Sequence, residues 1–235
     1  MTDGPPENRL LTVFPPFPRF LLTAERTALV VVDMQYLDAH PDCGIGRTAM
    51  QAGAAEMFAE YWPAVERAVA AQQRLIAAAH RVGMQVIFTR IATQTTEARD
   101  VGRQHRLVGL AVPRDSREAS LLDELPVGKD DLVLSKTSSS PFNSTSIDRF
   151  LRNLDIDTLL VCGVVSNGCV EGTIRDASDL GYQVVMVEDA CAAVTSALHW
   201  AAITNLKDAF CNCRTSEDVV DELSRLADQS PQRRR

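Results

Sequence analysis

A chain of 235 residues with 46% hydrophobic content is long enough to bury a full core, and one α/β domain of this size is ordinary. A formal net charge of -7 and a pI near 5.1 speak against a nucleic-acid or anionic-membrane partner. No apolar run approaches the ~20 residues of a membrane span, Phe14-Pro15-Pro16-Phe17-Pro18 interrupts any signal-peptide pattern, and Cys162 and Cys211 sit in apolar runs as free thiols do, so the expected compartment is the reducing cytoplasm.

Residues 1–24 are proline-rich and aperiodic, and read as an extended arm suited to packing on a neighbouring subunit. Residues 25–228 read as a single domain, and 229–235, ending in Arg233-Arg234-Arg235, as a disordered basic tail. Ala28 to Val32 is an unbroken apolar run ending at Asp33, the pattern of a strand buried on both faces. Residues 34–62 read as a long loop, and Pro63 as the first residue of a helix that runs up to Gly83. A second strand, Gln85 to Thr89, ends at Arg90. Residues 91–130 have weak periodicity and many charges, and an excursion of that length suits a lid or binding loop. Leu132 to Ser135 is the third strand, with Lys136 at its end; Ser144 or Thr145 then caps a short helix.

Thr158 to Val164 is the fourth strand, and it breaks into Val165-Ser166-Asn167-Gly168-Cys169 before a helical pattern that closes at Gly181. Gln183 to Val187 makes a fifth strand, Thr195 to Lys207 a helix and Ala209 to Cys213 a short last strand. Thr215 with Asp218 resembles a capping box for the final helix. Strands alternating with helices throughout predict a doubly wound, mostly parallel sheet.

In such sheets ligands bind beyond the carboxyl ends of the strands. Asp33, Lys136 and Cys169 stand at three of those ends, and the fold brings such ends together. Cys169 is placed in the first turn of its helix, with Ser166 or Asn167 to cap, where the dipole favours a thiolate. Lys136 beside Asp33 keeps the carboxylate ionised, so Asp33 can take the thiol proton and Cys169 can attack an acyl carbon. Backbone N–H groups of Ser166 and Cys169 are the candidate oxyanion donors. The product is acyl transfer to water with release of ammonia or an amine, a chemistry that needs no metal and no cofactor. Tyr36 and Leu37 beyond Asp33, and Phe142 and Asn143 beyond Lys136, are the candidate substrate-binding residues because the strand ends converge there.

The segments ALVVVDMQ (Ala28 to Gln35), SKTSSSPF (Ser135 to Phe142) and GVVSNGCVEGTIRDA (Gly163 to Ala177) together resemble the isochorismatase-like cysteine hydrolases over about residues 20–225. The resemblance implies a three-layer α/β/α sandwich around a six-stranded parallel sheet, an Asp33–Lys136–Cys169 triad, and a homo-oligomer such as a dimer or tetramer. It also implies a non-proline cis peptide at Val165–Ser166 that aims the Ser166 N–H at the oxyanion. The nicotinamidases of this group hold a metal through Asp-x-His after the second strand. Here Thr89-Arg90-Ile91-Ala92-Thr93-Gln94 stands in that place with His105 further on, so no metal is expected. Isochorismatases proper cleave a vinyl ether without a cysteine at this position; Cys169 therefore speaks for a small amide, ureido or carbamoyl substrate. Two rivals remain open at the level of sequence: an ether hydrolase of the same fold in which Cys169 is a bystander, and an idle ligand-binding scaffold.

Overall fold

A computed structural model describes residues 13–15 and 17–229. The start of the proposed arm and the proposed basic tail beyond 229 lie outside the described residues. The described strands are β1 (Thr27–Val32), β2 (Gln85–Ile91), β3 (Leu132–Lys136), β4 (Thr158–Val164), β5 (Gln183–Ala192) and β6 (Asn212–Arg214). They form one six-stranded sheet in the order β3-β2-β1-β4-β5-β6, with every pairing parallel. Helices α1 (Gly44–Gln51), α2 (Tyr61–Val82), α3 (Arg103–Leu107), α4 (Ile147–Asn153), α5 (Glu171–Asp179), α6 (Ser196–Leu206) and α7 (Ser216–Gln229) connect and cover it. No helix among the described residues is long and apolar enough to cross a membrane.

The unbroken apolar runs behave as a doubly covered parallel sheet requires: all residues of β1 and β4 are buried. Tyr61, Val65, Leu75, Ile76 and Ala79 of α2 are buried against the sheet. That helix ends where the sequence places its stop, at Gly83 in the left-handed conformation with φ 73°. Thr195 and Thr215 cap α6 and α7 by accepting hydrogen bonds from the Leu198 N–H at 3.3 Å and the Asp218 N–H at 3.2 Å.

Some boundaries differ from the sequence reading. The 34–62 stretch holds α1 and a single 3₁₀ turn over Ala55–Phe58, a helix hidden by its two glycines. Neither Ser144 nor Thr145 sits at the N-cap of α4; Ser146 does, while the Ser144 hydroxyl accepts from the Thr137 N–H. Strand β5 runs on to Ala192 through the charged pair Glu188-Asp189, which masks it as a loop in sequence. The described part of the arm lies on its own chain: Phe20 N–H donates to Asn212 Oδ1 at 2.8 Å, and Leu22 N–H to Glu222 Oε1 at 2.9 Å.

The strand order reverses between β1 and β4, and this is the switch point at which the loops leave in opposite directions and a crevice opens. The two strands meet very closely there. Gly163 pairs with Val32, lies at φ 124°, and a Cβ on it would fall 2.0 Å from the Val32 carbonyl oxygen. Gly163→Ala is therefore expected to destabilise the protein by roughly 3 kcal/mol; a denaturation midpoint within error of the wild type would contradict this account of the β1–β4 seam.

Candidate active site

Asp33 follows the last residue of β1 and is buried, with φ 54° in the left-handed region that non-glycine residues seldom enter. Its N–H donates to the Thr89 carbonyl at 3.0 Å, and the Thr89 hydroxyl donates back to Oδ1 at 3.0 Å. Thr89 was not singled out by sequence, yet its register opposite Val32 is what brings its hydroxyl to Asp33. Gln35, fully buried, ties the same corner together: its side-chain amide donates to the carbonyls of Ile91 and Glu118 at 3.0 and 2.8 Å and accepts from the Ile91 N–H at 2.5 Å.

Lys136 is the last residue of β3, two strands from β1 and so about 10 Å away across the sheet. Only a long side chain spans that gap. Its Nζ lies 2.7 Å from Asp33 Oδ2, with both side chains buried, and it donates to the Ser138 carbonyl at 3.0 Å and to Cys169 Sγ at 3.3 Å. Burial works to lower the Lys136 pKa, but the charges of Asp33 and Cys169 outweigh it, and the net shift is upward. The ammonium is thus held as a permanent cation between a carboxylate and a sulfur.

Cys169 lies in a wide turn, Ser166–Val170, that runs into α5; Gly168 breaks that turn with φ -131° and ψ -105°. The Thr173 hydroxyl donates to the Cys169 carbonyl at 2.6 Å. The expectation of a dipole-stabilised thiolate is corrected here. Burial first, and then the charge of Asp33, push the thiol pKa well up, while Lys136 opposes them. The group in hydrogen-bonding contact with the sulfur is the Lys136 ammonium, at 3.3 Å. Nor does Ser166 or Asn167 cap the turn: the Ser166 hydroxyl instead pairs with His199 Nδ1 at 2.8 Å, and Asn167 is exposed. The cis peptide bond is at Val164–Val165, one residue before the expected Val165–Ser166. Pairing of β4 with β5 runs through Val164, so the chain leaves the sheet at that bond, and the amide N–H on it belongs to Val165.

The proposed lining residues divide. Leu37 is buried in a small apolar cluster with Ile91, Ala92, Val112 and Ala119 that packs against Cys169, so the 91–130 excursion does cover the site. Tyr36 is buried beside it, its ring under the Arg117 guanidinium at 3.5 Å. Phe142 and Asn143 turn away. The 3₁₀ turn over Pro141–Asn143 carries the Phe142 ring to Tyr182, with centroids 5.8 Å apart, and the Asn143 amide to Asp176 Oδ2 at 2.7 Å.

Two further groups face the triad. Asp38 retains some exposed surface, but its Oδ2 is buried and has no hydrogen-bond partner among the described residues. Burial, followed by repulsion from Asp33, raises its pKa to about 7, with Lys136 opposing. His105 is buried with Nδ1 likewise unpartnered, and burial and then Lys136 lower its pKa, so the ring is neutral. Among the described residues no three His, Cys, Asp or Glu side chains gather as a metal-holding group. A cavity of about 760 Å³ between α2 and the β5–α6 connection does not include the triad. The chemistry, rather than the volume, marks the site.

The residues matched by the Isochorismatase domain model are 27–218, which spans all three strand-end residues. The chain is 32% identical over 206 residues to a ureidoacrylate amidohydrolase RutB of Acinetobacter baylyi, covering 80% of each. Among solved structures it resembles a cysteine hydrolase from Pseudomonas syringae pv. phaseolicola (TM-score 0.75, 28% identity, 90% of this chain and 99% of that one). It also resembles an N-carbamoylsarcosine amidase from Thermoplasma acidophilum (TM-score 0.65, 25% identity, 82% and 97% covered). The parallel sheet with its switch-point site thus defines an α/β hydrolytic enzyme of the isochorismatase-like fold. The chain belongs to the isochorismatase family and is a hydrolase.

Two stability experiments follow from the site. Lys136→Met strands the Asp33 carboxylate in the interior and is expected to cost about 3–5 kcal/mol. The double variant Asp33→Asn/Lys136→Met should recover most of that loss without recovering activity; equal losses in both variants would show that the ion pair is not the cause. For Asp38 the folded pKa lies above the unfolded value of 3.8, so its stabilising contribution is complete below that value and is lost as pH rises through about 7. Asp38→Asn should therefore come close to the wild type near pH 4 and exceed it by about 4 kcal/mol at pH 8 in denaturant titrations. The opposite pH trend would place the carboxylate in a solvated setting.

Proposed function

We propose that the protein is a metal-independent cysteine hydrolase that cleaves a C–N bond of a small amide, ureido or carbamoyl compound through a thioester. The observation that carries this reading is the continuous contact of carboxylate, ammonium and sulfur: Asp33 to Lys136 at 2.7 Å and Lys136 to Cys169 at 3.3 Å. A buried ion pair beside a half-buried cysteine has no structural need of the sulfur, and the similarity to amide- and ureide-cleaving relatives supports the same chemistry.

The steps use this chain's own residues. Asp33 takes the thiol proton as Cys169 Sγ bonds to the carbonyl carbon, and the C–O π pair moves onto oxygen. Lys136 stabilises the developing sulfur anion, and the oxyanion is received by backbone N–H groups of the Val165–Cys169 turn, those of Ser166 and Cys169 among them. Collapse breaks the C–N bond, and protonated Asp33 gives its proton to the leaving nitrogen. Asp33 then takes a proton from water as the water oxygen attacks the thioester; the C–S bond breaks, the acid product leaves, and Asp33 returns the proton to sulfur. The raised thiol pKa fits this sequence, because a proton kept on sulfur until substrate arrives is one that Asp33 can deliver to the amine. Leu37, Val112 and Ala119 around the sulfur keep bulk water from the thioester.

Ammonia or amine release from a panel of small ureides, carbamoyl compounds and amides is the direct test. Cys169→Ala is expected to lower turnover by at least about a thousandfold with the melting temperature nearly unchanged. Hydrolysis that survives in that variant would make Cys169 a bystander and favour ether or other hydrolysis on the same fold.

A further inference from the structure

The triad's inner wall carries one acceptor that neither the fold nor the reaction accounts for. Asp38 sits five residues beyond Asp33, on the turn that leaves β1, and its backbone is held firmly: its N–H donates to the Gln35 carbonyl at 3.2 Å, and its own carbonyl accepts from the Tyr61 hydroxyl at 2.9 Å. Leu37, the residue before it, lies in the apolar cluster that packs against Cys169, and the Asp38 carboxylate is near enough to Asp33 and Lys136 to feel both charges. Yet Oδ2 is buried without a donor. A buried carboxylate oxygen left unpaired is costly, and such a cost is maintained where a ligand supplies the missing partner.

The charges around it decide which ligand. Lys136, the one cation buried at the triad among the described residues, is committed to Asp33 at 2.7 Å. The neighbouring arginines are engaged as well: Arg90 donates to Ser135 Oγ and the Ala119 carbonyl, Arg117 pairs with Asp123 at 3.0 Å, and Arg47 pairs with Glu118. His105 is neutral. With Asp33 balanced by Lys136, Asp38 adds an excess of negative charge and a demand for donors above about pH 7, where it is ionised.

We propose that Asp38 is the specificity-determining residue of this site. Its unpaired Oδ2 accepts from an N–H or ammonium group of the substrate, selecting small ureides or amides that present such donors against those bearing a carboxylate. This inference rests on the amide-hydrolase reading and adds a substrate class to it. It also sets the chain apart from the relatives named for ureidoacrylate, an acid whose carboxylate this wall repels.

Three ureides of similar size and different charge make the test: propylurea, 2-aminoethylurea and N-carbamoylglycine. Binding is measured by calorimetry on the Cys169→Ala protein, so that it does not depend on turnover, and kcat/KM is measured in parallel on the intact enzyme. The expected order is 2-aminoethylurea, then propylurea, with N-carbamoylglycine at least about tenfold weaker than propylurea. Asp38→Asn in the same background should shrink the gap between propylurea and N-carbamoylglycine by about tenfold. N-carbamoylglycine binding as well as propylurea, a gap unaltered by Asp38→Asn, or binding of none of the three would each overturn the proposal. Selective binding in that order with no turnover by the intact enzyme would uphold the role of Asp38 while sinking the amidohydrolase reading.

Discussion

The structure turns on an ion pair that has no business being buried for stability alone. Removing Asp33 and Lys136 from water costs several kcal/mol for each ion, and their attraction repays this only where geometry is close and the remaining donors are satisfied. Here Nζ meets Oδ2, the Ser138 carbonyl and the sulfur, while Oδ1 takes the Thr89 hydroxyl. Much of the local architecture serves that pair. Asp33 adopts a left-handed backbone, Gln35 clamps the ends of β1 and β2, and β3 stops where a lysine can reach across two strands. A pair of apolar residues would fill the same space at lower cost, so the arrangement is kept for what the charges do to Cys169.

What they do is hold its proton. A helix N-terminus lowers a thiol pKa by a partial charge near the sulfur, and sequence placement alone predicts that outcome. Burial and a full negative charge on Asp33 are larger effects and act in the opposite direction, with Lys136 offsetting them in part. Under the proposed reaction this balance suits a nucleophile that gives up its proton to Asp33 only as it attacks.

The sequence made the sheet legible wherever burial on both faces left an apolar run, as in Ala28–Val32 and Thr158–Val164, and it made the triad legible because reactive side chains stood at the ends of such runs. It could not show α1, whose residues Gly44 to Gln51 include two glycines and no long apolar stripe, nor the extension of β5 through Glu188 and Asp189. Phe142 and Asn143 misled for a related reason: proximity of a strand end fixes where the backbone emerges, whereas a single 3₁₀ turn decides which way the side chains point. Ser166 reads as a cap and is instead the partner of His199, a residue 33 positions away on α6.

Asp38 shows the limit most sharply. Nothing in its neighbours in the chain distinguishes it from a loop carboxylate, because its character depends on one oxygen being shut from water by residues far away in sequence. Its pKa near 7 is therefore a property of the assembled enclosure rather than of the motif. The triad and Asp38 divide the work along that line. In the proposed reaction the strand ends supply a nucleophile, a base and a cation that suit many acyl compounds, and the unpaired acceptor on the adjoining turn makes the enclosure electrostatically one-sided. Loops beyond parallel strands vary without disturbing the sheet, so a change at that turn alters which ligands are admitted while the reacting groups stay in place.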